Sequence, residues 1–358
     1  MTARNGASSE QRGDANIQDR RRFLRTGFSL AAAGLAGAAA LTGSRRPLAA
    51  EPPPETTSVR LLYWKDDATC LAPIDILDDL LRDEGFADVR YVPAADSDTV
   101  ADRVASADID FGQDFAATTI LKINAGLPAV MLAGVHPACF ELFARVPIRS
   151  VVDLKGKTVG VVDTTGGAGD HVMLKIIAAS VGLDPAKDIN WVAFGGGDPK
   201  ALLTDNKIDA FLTYPPWAQE VRDRRTGHVI LNSAVDRPWS QYFCCMLIGN
   251  VDFVRRNPIA TKRVVRAMMM ATDICAAKPD WVAQRLVDRG FTTRYNYARQ
   301  GMDDVSYRAW RDYDAEDAVR FWALRERELG LITSSPDKII TTGTDWRFLK
   351  EVRREFGI

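Results

Sequence analysis

The sequence predicts an α/β protein of two lobes, each a wound, mostly parallel sheet flanked by helices. Short β-branched and aromatic runs alternate with segments of helical period from Val59 to Thr213, which is the pattern of β-α-β units. The same grammar restarts after Pro147. The 308 residues that follow position 50 are also more than one hydrophobic core normally serves.

In chain order, Val59 to Trp64 reads as a strand, Ile74 to Glu84 as an amphipathic helix stopped by Gly85, and Val89 to Val92 as a second strand. Thr99 to Ser106 follows as a helix, Ile109 to Gly112 as a short strand and Ala116 to Asn124 as a helix ended by Gly126. Two apolar strands, Ala129 to Ala133 and Phe140 to Arg145, lead to the lobe boundary at Pro147. Beyond it, strands at Lys157 to Val162, Ile189 to Phe194 and Ile208 to Thr213 alternate with helices at Gly169 to Val181 and Lys200 to Thr204. Val229 to Leu231 and Tyr242 to Ile248 are further strands, after which Asn257-Pro258 opens a helical tail. The tail is too helical to form a lobe and is expected to pack back on the first one. The resulting plan is a leader over 51–57, lobe one over 58–146, lobe two over 147–238, and a return to lobe one with its tail over 239–358.

The first fifty residues read as an export signal. Arg20-Arg21-Arg22 stands directly before Phe23-Leu24, and Thr26 to Gly43 follows without a charge, rich in Ala and Gly. This resembles a twin-arginine signal, with Arg20, Arg21, Phe23 and Leu24 as the recognition residues and cleavage expected near Ala50. Its Ala/Gly content makes it a poor permanent anchor. The whole chain carries 46 basic and 47 acidic residues; removing residues 1–50 leaves 38 and 44, a net charge of −6. That balance argues against a nucleic-acid partner. Glu51-Pro52-Pro53-Pro54-Glu55 is a stiff, polar leader. Five cysteines (Cys70, Cys139, Cys244, Cys245 and Cys275) are an odd, sparse set, unlike a disulfide-stapled scaffold.

Four segments in order then resemble the nitrate/sulfonate/taurine-type solute-binding proteins of ABC importers, which share sequence with a thiamine-pyrimidine synthase group. They are Asp108-Ile109-Asp110-Phe111-Gly112, Val152 to Gly160, Asn206-Lys207-Ile208-Asp209-Ala210-Phe211 before Tyr214, and Asn257-Pro258 with its helix. The resemblance implies a type II-like periplasmic binding-protein fold, two lobes joined by a hinge of two crossing strands that close over a small solute. It also implies an ABC permease with its ATPase as partner, a periplasmic location, a monomer, no cofactor and no enzymatic activity. These segments mark the fold; the ligand is expected at loops on the carboxyl ends of the strands.

Four such loops are rich in polar and aromatic groups. Trp64, Lys65 and Asp66 end the first strand, Gln113 and Asp114 the third. Thr164, Thr165 and Gly166 lead into a helix whose N–H groups suit an anionic or carbonyl oxygen. Tyr214 and Trp217 follow the strand at Ile208 to Thr213, and Trp239 lies on the return crossing. Trp64 and Tyr214 are the aromatics expected against the ligand, whereas Trp217 reads equally as a ligand contact or as the anchor of its helix. His136 and Cys139 offer two metal ligands, but with three histidines and no second cluster in the sequence no metal site is expected. Cys244 and Cys245 should point to opposite faces of their strand. Rival readings are an enzyme on the same fold, pyrimidine synthase-like or menaquinone-pathway-like, and a periplasmic ligand sensor.

The signal reading carries its own test. Replacing Arg20 and Arg21 together by Lys should leave uncleaved precursor in the cytoplasm, because an ammonium does not reproduce the planar guanidinium fork. Unchanged export would reject the twin-arginine assignment.

Overall fold

The computed structural model describes residues 51–64, 69–94, 99–137, 139–165 and 167–358. The export signal therefore lies outside the described residues, as do Lys65, Asp66 and Gly166.

Strand β1 (Ser58–Tyr63) is followed by a short 3₁₀ turn and two helical pieces, α1 (Ala72–Asp75) and α2 (Leu77–Asp83). The single helix expected over Ile74 to Glu84 is thus broken at Ile76, whose φ of −100° and ψ of 10° interrupt the helix. Gly85 stops α2 at φ +98°, a left-handed conformation that glycine adopts without steric cost. Then come β2 (Asp88–Pro93), α3 (Val100–Ala105), β3 (Phe111–Phe115), α4 (Ala116–Asn124) and β4 (Ala129–Pro137). Thr99 caps α3 by accepting from the Asp102 N–H at 3.1 Å. Strand β3 begins two residues later than Ile109 and runs on to Phe115. Its pairing with the last sheet strand, from Phe111↔Gly249 to Phe115↔Cys245, carries Gln113 and Asp114 inside the strand instead of the loop after it.

The chain then enters the second sheet with β5 (Glu141–Ala144), followed by β6 (Lys157–Val161), α5 (Gly169–Ser180), β7 (Ile189–Ala193), α6 (Pro199–Thr204), β8 (Ala210–Thr213), α7 (Trp217–Arg224) and β9 (His228–Asn232). It returns through β10 (Phe243–Asn250) and α8 (Val251–Arg256) to the tail. The tail comprises α9 (Pro258–Ala277), α10 (Pro279–Asp288), α11 (Tyr295–Asp304), α12 (Ala315–Glu328), α13 (Pro336–Gly343) and α14 (Arg347–Glu355). No helix among the described residues is long and apolar enough to cross a membrane.

Each sheet has five strands, ordered β2-β1-β3-β10-β4 and β7-β6-β8-β5-β9. In the first sheet β1, β2 and β3 are parallel and β10 runs antiparallel to β3 and β4. In the second, β6, β7 and β8 are parallel and β5 runs antiparallel to β8 and β9. The one reversed strand in each sheet is the one that arrives from the other lobe. A chain leaving one sheet at its carboxyl edge enters its neighbour at the facing carboxyl edge, and so must run backwards through it. The two crossings, after β4 and after β9, meet where Ser233 accepts from the Phe140 N–H and donates to the Phe140 carbonyl, both at 2.8 Å. The Ser233 N–H reaches the same carbonyl, also at 2.8 Å.

The tail packs on the first sheet. Met131 of β4 accepts from the Asp345 N–H at 2.9 Å. The Trp322 indole donates to the Phe243 carbonyl at 2.7 Å, and Arg266 clamps Glu84 with bonds of 2.8 and 2.6 Å. Helix α11 also reaches lobe two at α7, where Asp304 accepts from Gln219 at 2.9 Å and pairs with Arg222, and Tyr297 donates to Asp223 at 2.8 Å.

Because Ser233 is fully buried and serves both polar groups of Phe140, Ser233→Ala leaves a buried N–H without its acceptor at the crossing. The expected loss is about 1–3 kcal/mol of folding stability, read as a lower denaturant midpoint at unchanged slope. An unchanged midpoint would mean that the crossing does not depend on this side chain.

Candidate functional site

The carboxyl edges of the two sheets face each other, and the site is built from what projects there. From lobe one come Trp64 after β1, the Thr69-Cys70 turn, and the β3–α4 junction at Phe115 and Thr118. From lobe two come residues 163–165 and 167–169 ahead of α5, and Tyr214 after β8. The lobes touch directly: the Thr69 N–H donates to the Pro215 carbonyl at 3.0 Å. A methyl group placed on Gly169 would lie 3.5 Å from Phe115 and 3.7 Å from Thr118, so the N-termini of α4 and α5 confront one another across the opening. Neither N-cap residue, Phe115 or Ala168, carries a side-chain acceptor for the first-turn N–H groups. Two converging helix N-termini favour an electronegative group between them.

Trp64 and Tyr214 are both partly buried and packed at the edge of the core. The Tyr214 ring stands edge-on to Phe140, with centroids 5.8 Å apart, and Phe140 in turn meets Phe115 at 5.4 Å. Thr164 and Thr165 are exposed, and Thr165 is tied to Asp163 through its N–H at 2.9 Å and its hydroxyl.

Other sequence-nominated residues serve neighbouring parts. Trp239 is only 2% exposed, its indole stacked on Trp322 and set edge-on to Phe321, which makes it an anchor of the crossing against the tail. Trp217 opens α7, with the Arg294 guanidinium 4.6 Å and the Lys200 ammonium 5.3 Å from its ring centre. It belongs to the bridge between α7 and the tail. Arg294 and Glu220 pair beside it, and Lys200 and Arg224 lie 3.4 and 2.8 Å from the same carboxylate. Burial alone would raise the Glu220 pKa; the hydrogen bond from Arg294 and the surrounding cations outweigh it and hold it below the usual range. Arg237, a cation at the return crossing, is exposed. Asp114 accepts from the Phe115 N–H at 2.8 Å and the Thr119 hydroxyl at 3.0 Å, which fixes the β3–α4 junction. Burial pushes its pKa up to about 6. Gln113 is buried and donates to the Cys70 carbonyl at 2.8 Å, its amide nitrogen 3.3 Å from His136 Nε2.

That contact leads to a group the linear sequence hid. Cys70, His136 and Cys139 converge, and so do His136, Cys244 and Cys245, with the donor atoms of each trio all within 4.8 Å of one another. The sequence showed no second cluster beside His136 and Cys139; the fold supplies one from the turn after β1 and the start of β10. Nor do Cys244 and Cys245 point apart, for their sulfurs are 3.6 Å from each other. Phe243 pairs with Pro137 and Cys245 with His136, so Cys244 is the extra residue of a β-bulge, which abolishes the alternation of side chains there. The ring of Phe243 lies against Gly134, where a Cβ would sit 2.4 Å from it.

A comparison of sequences now identifies the family. The NMT1/THI5-like family model matches residues 81–281. The chain belongs to that family. A protein of Brucella abortus (strain 2308), named only as a binding protein, is 24% identical over 140 residues, which is 39% of this chain and 43% of that one. The match therefore spans under half the length of this curated relative. Among solved structures, the periplasmic nitrate-binding protein NrtA from Synechocystis PCC 6803 superposes with a TM-score of 0.71 at 17% identity, over 85% of this chain and 90% of that one. The alkanesulfonate-binding protein SsuA from Xanthomonas axonopodis pv. citri, bound to MOPS, gives 0.62 at 14% identity, over 80% and 96%. The desulfurization enzyme DSZB gives 0.55 at 14% identity, over 83% and 99%. At these identities the likeness establishes the two-lobe binding-protein fold, and the same architecture also carries an enzyme.

The loop before α5 is governed by Asp170, 8% exposed, whose carboxylate accepts from the Val162 and His171 N–H groups at 2.7 and 2.8 Å. Burial outweighs these bonds and pushes its pKa up to about 6. A carboxyl with a raised folded pKa binds its proton more tightly folded than unfolded, so its contribution to stability is greatest at low pH and declines as pH rises from about 4 to about 6. The stability of the wild type relative to Asp170→Asn should therefore fall by about 3 kcal/mol across that window and stay level above it. Denaturant titrations of both proteins at several pH values measure this slope; a flat difference would show that Asp170 ionises normally.

Proposed function

We propose that this protein is an exported receptor that captures a small organic solute between its lobes and presents it to an ABC importer of the nitrate/sulfonate/taurine type. The observation that carries this reading is the hinge. Two short crossings are the covalent links between two sheets whose carboxyl edges face one another, an arrangement that lets the lobes close on a ligand. Family membership and the NrtA and SsuA neighbours support a binding role.

In this reading Trp64 and Tyr214, one from each lobe, stack on the apolar part of the solute. Its electronegative group sits at the facing N-termini of α4 and α5, assisted by Thr164, Thr165 and Gly166. Lys65 and Asp66, which follow Trp64 in the chain, select among solutes. The contacts of α7 with Arg294, Tyr297 and Asp304 belong to the closed form and help the permease distinguish it from the open one. The twin-arginine signal would deliver an already folded, monomeric receptor to the periplasm, where the signal is cleaved near Ala50.

A thermal-shift screen of organic nitrogen and sulfur compounds identifies the solute. At about a hundred times its Kd, a cognate compound should add roughly 2.7 kcal/mol to stability. Trp64→Ala and Tyr214→Ala should each weaken binding about tenfold to a hundredfold while leaving the unliganded melting temperature near that of the wild type. Normal affinity in either variant removes that residue from the site. The ligand should be recovered unchanged; steady turnover would assign the protein to the enzymes of this fold.

A further inference from the structure

Beneath the cleft edge of the first sheet lies a set of five soft donors that the solute-binding reading does not use. We propose that Cys70, Cys139, Cys244, Cys245 and His136 form a binding site for one thiophilic d10 metal ion, Zn2+ or Cu+, which pins the hinge crossings to lobe one.

The geometry suits a closed thiolate–imidazole site, in which a tetrahedral shell would take four of the five donors. All five residues are buried, none more than 7% exposed, and none of the cysteines is in a disulfide. A zinc ion bound by sulfur at about 2.3 Å in a tetrahedron requires neighbouring sulfurs about 3.8 Å apart. Cys244 and Cys245 already stand 3.6 Å apart, and both donor trios share the His136 ring. The imidazole tautomer suits a ligand: Nδ1 lies 2.6 Å from the Pro137 carbonyl, which can only accept, so Nδ1 holds the proton and Nε2 carries the lone pair, which faces the Gln113 amide nitrogen at 3.3 Å and would exchange that contact for an ion. Tyr307 braces the far side, its ring edge-on to His136 at 5.6 Å and its hydroxyl on the Thr69 carbonyl at 3.0 Å.

Thiolate and imidazole donors gathered in a buried place suit a soft ion. Two buried acceptors at the same place, Thr69 Oγ1 and Gln113 Oε1, have no hydrogen-bond partner among the described residues.

The donors arrive from the turn after β1, the end of β4, the first crossing and the start of β10. An ion among them would therefore fasten both hinge segments to one sheet. The test uses the full mature protein, reduced and stripped of metal under anaerobic conditions. It is incubated with Zn2+ alone or with Cu+ alone, passed over a sizing column, and assayed for retained metal by mass spectrometry. The expected result is one equivalent of one of these ions, a higher melting temperature than the stripped form, and, with Co2+ as a spectroscopic stand-in, a sulfur-to-metal charge-transfer band. Which ion is retained identifies it. Cys70→Ser with Cys245→Ser should lower the affinity at least about tenfold, the scale of losing ligand-shell groups. Cys275→Ala, a buried cysteine outside the cluster, should retain the ion. If the double variant fails to fold, chelator competition on the wild type still decides the matter. Retention of neither ion by the wild type, equal retention by a folded double variant, or a native disulfide among the four cysteines would overturn the proposal.

Discussion

The structure depends on a constraint of direction. Each crossing leaves one sheet at its carboxyl edge and enters the other at the edge that faces it, so β10 and β5 run against their neighbours. The reversal places the beginnings of β5 and β10 and the end of β4 beside the cleft. It also brings the first-turn N–H groups of α4 and α5 toward the same opening, because a helix that follows a strand begins where the strand ends. Binding capacity is in this sense a product of topology, before any particular side chain is considered.

Two layers of side chains are built on that frame. At the opening, Trp64, Tyr214, Phe140 and Phe115 supply flat apolar faces beside backbone donors. Outside it, α7 and α11 are joined by ionic contacts around Glu220 and Asp304, one carboxylate buried and the other more exposed. Ionic contacts of this kind are individually modest where they are wet and stronger where burial removes competing water. The Glu220 carboxylate, 3% exposed and held by three cations, is the firmer of the two.

Much of the fold was legible in the sequence because it rests on local grammar. Alternating periods, the stop at Gly85 and Pro258 at a helix start all act within a few residues, and each appears in the structure at or near its expected place. The departures have different origins. Ile76 breaks a helix whose apolar period runs through it, and β3 is lengthened by a partner strand more than a hundred residues away. Of the nominated aromatics, Trp64 and Tyr214 lie at the facing edges. Trp239 is consumed by packing on Trp322, and Trp217 by two cations. Each of these aromatics stands near a strand end, and only its tertiary neighbours separate the roles.

By itself the sequence determined the two-lobe α/β class and the family, since periodicity, turn residues and motif order are properties of adjacent residues. The tertiary structure alone decided the β-bulge at Cys244, the gathering of Cys70, His136, Cys139 and Cys245 around it, and the bridge from Arg294 and Asp304 to α7. Each joins residues tens to hundreds of positions apart through strand register and helix docking. Register depends on which backbone groups find partners across a sheet, and no local pattern in the chain encodes that choice.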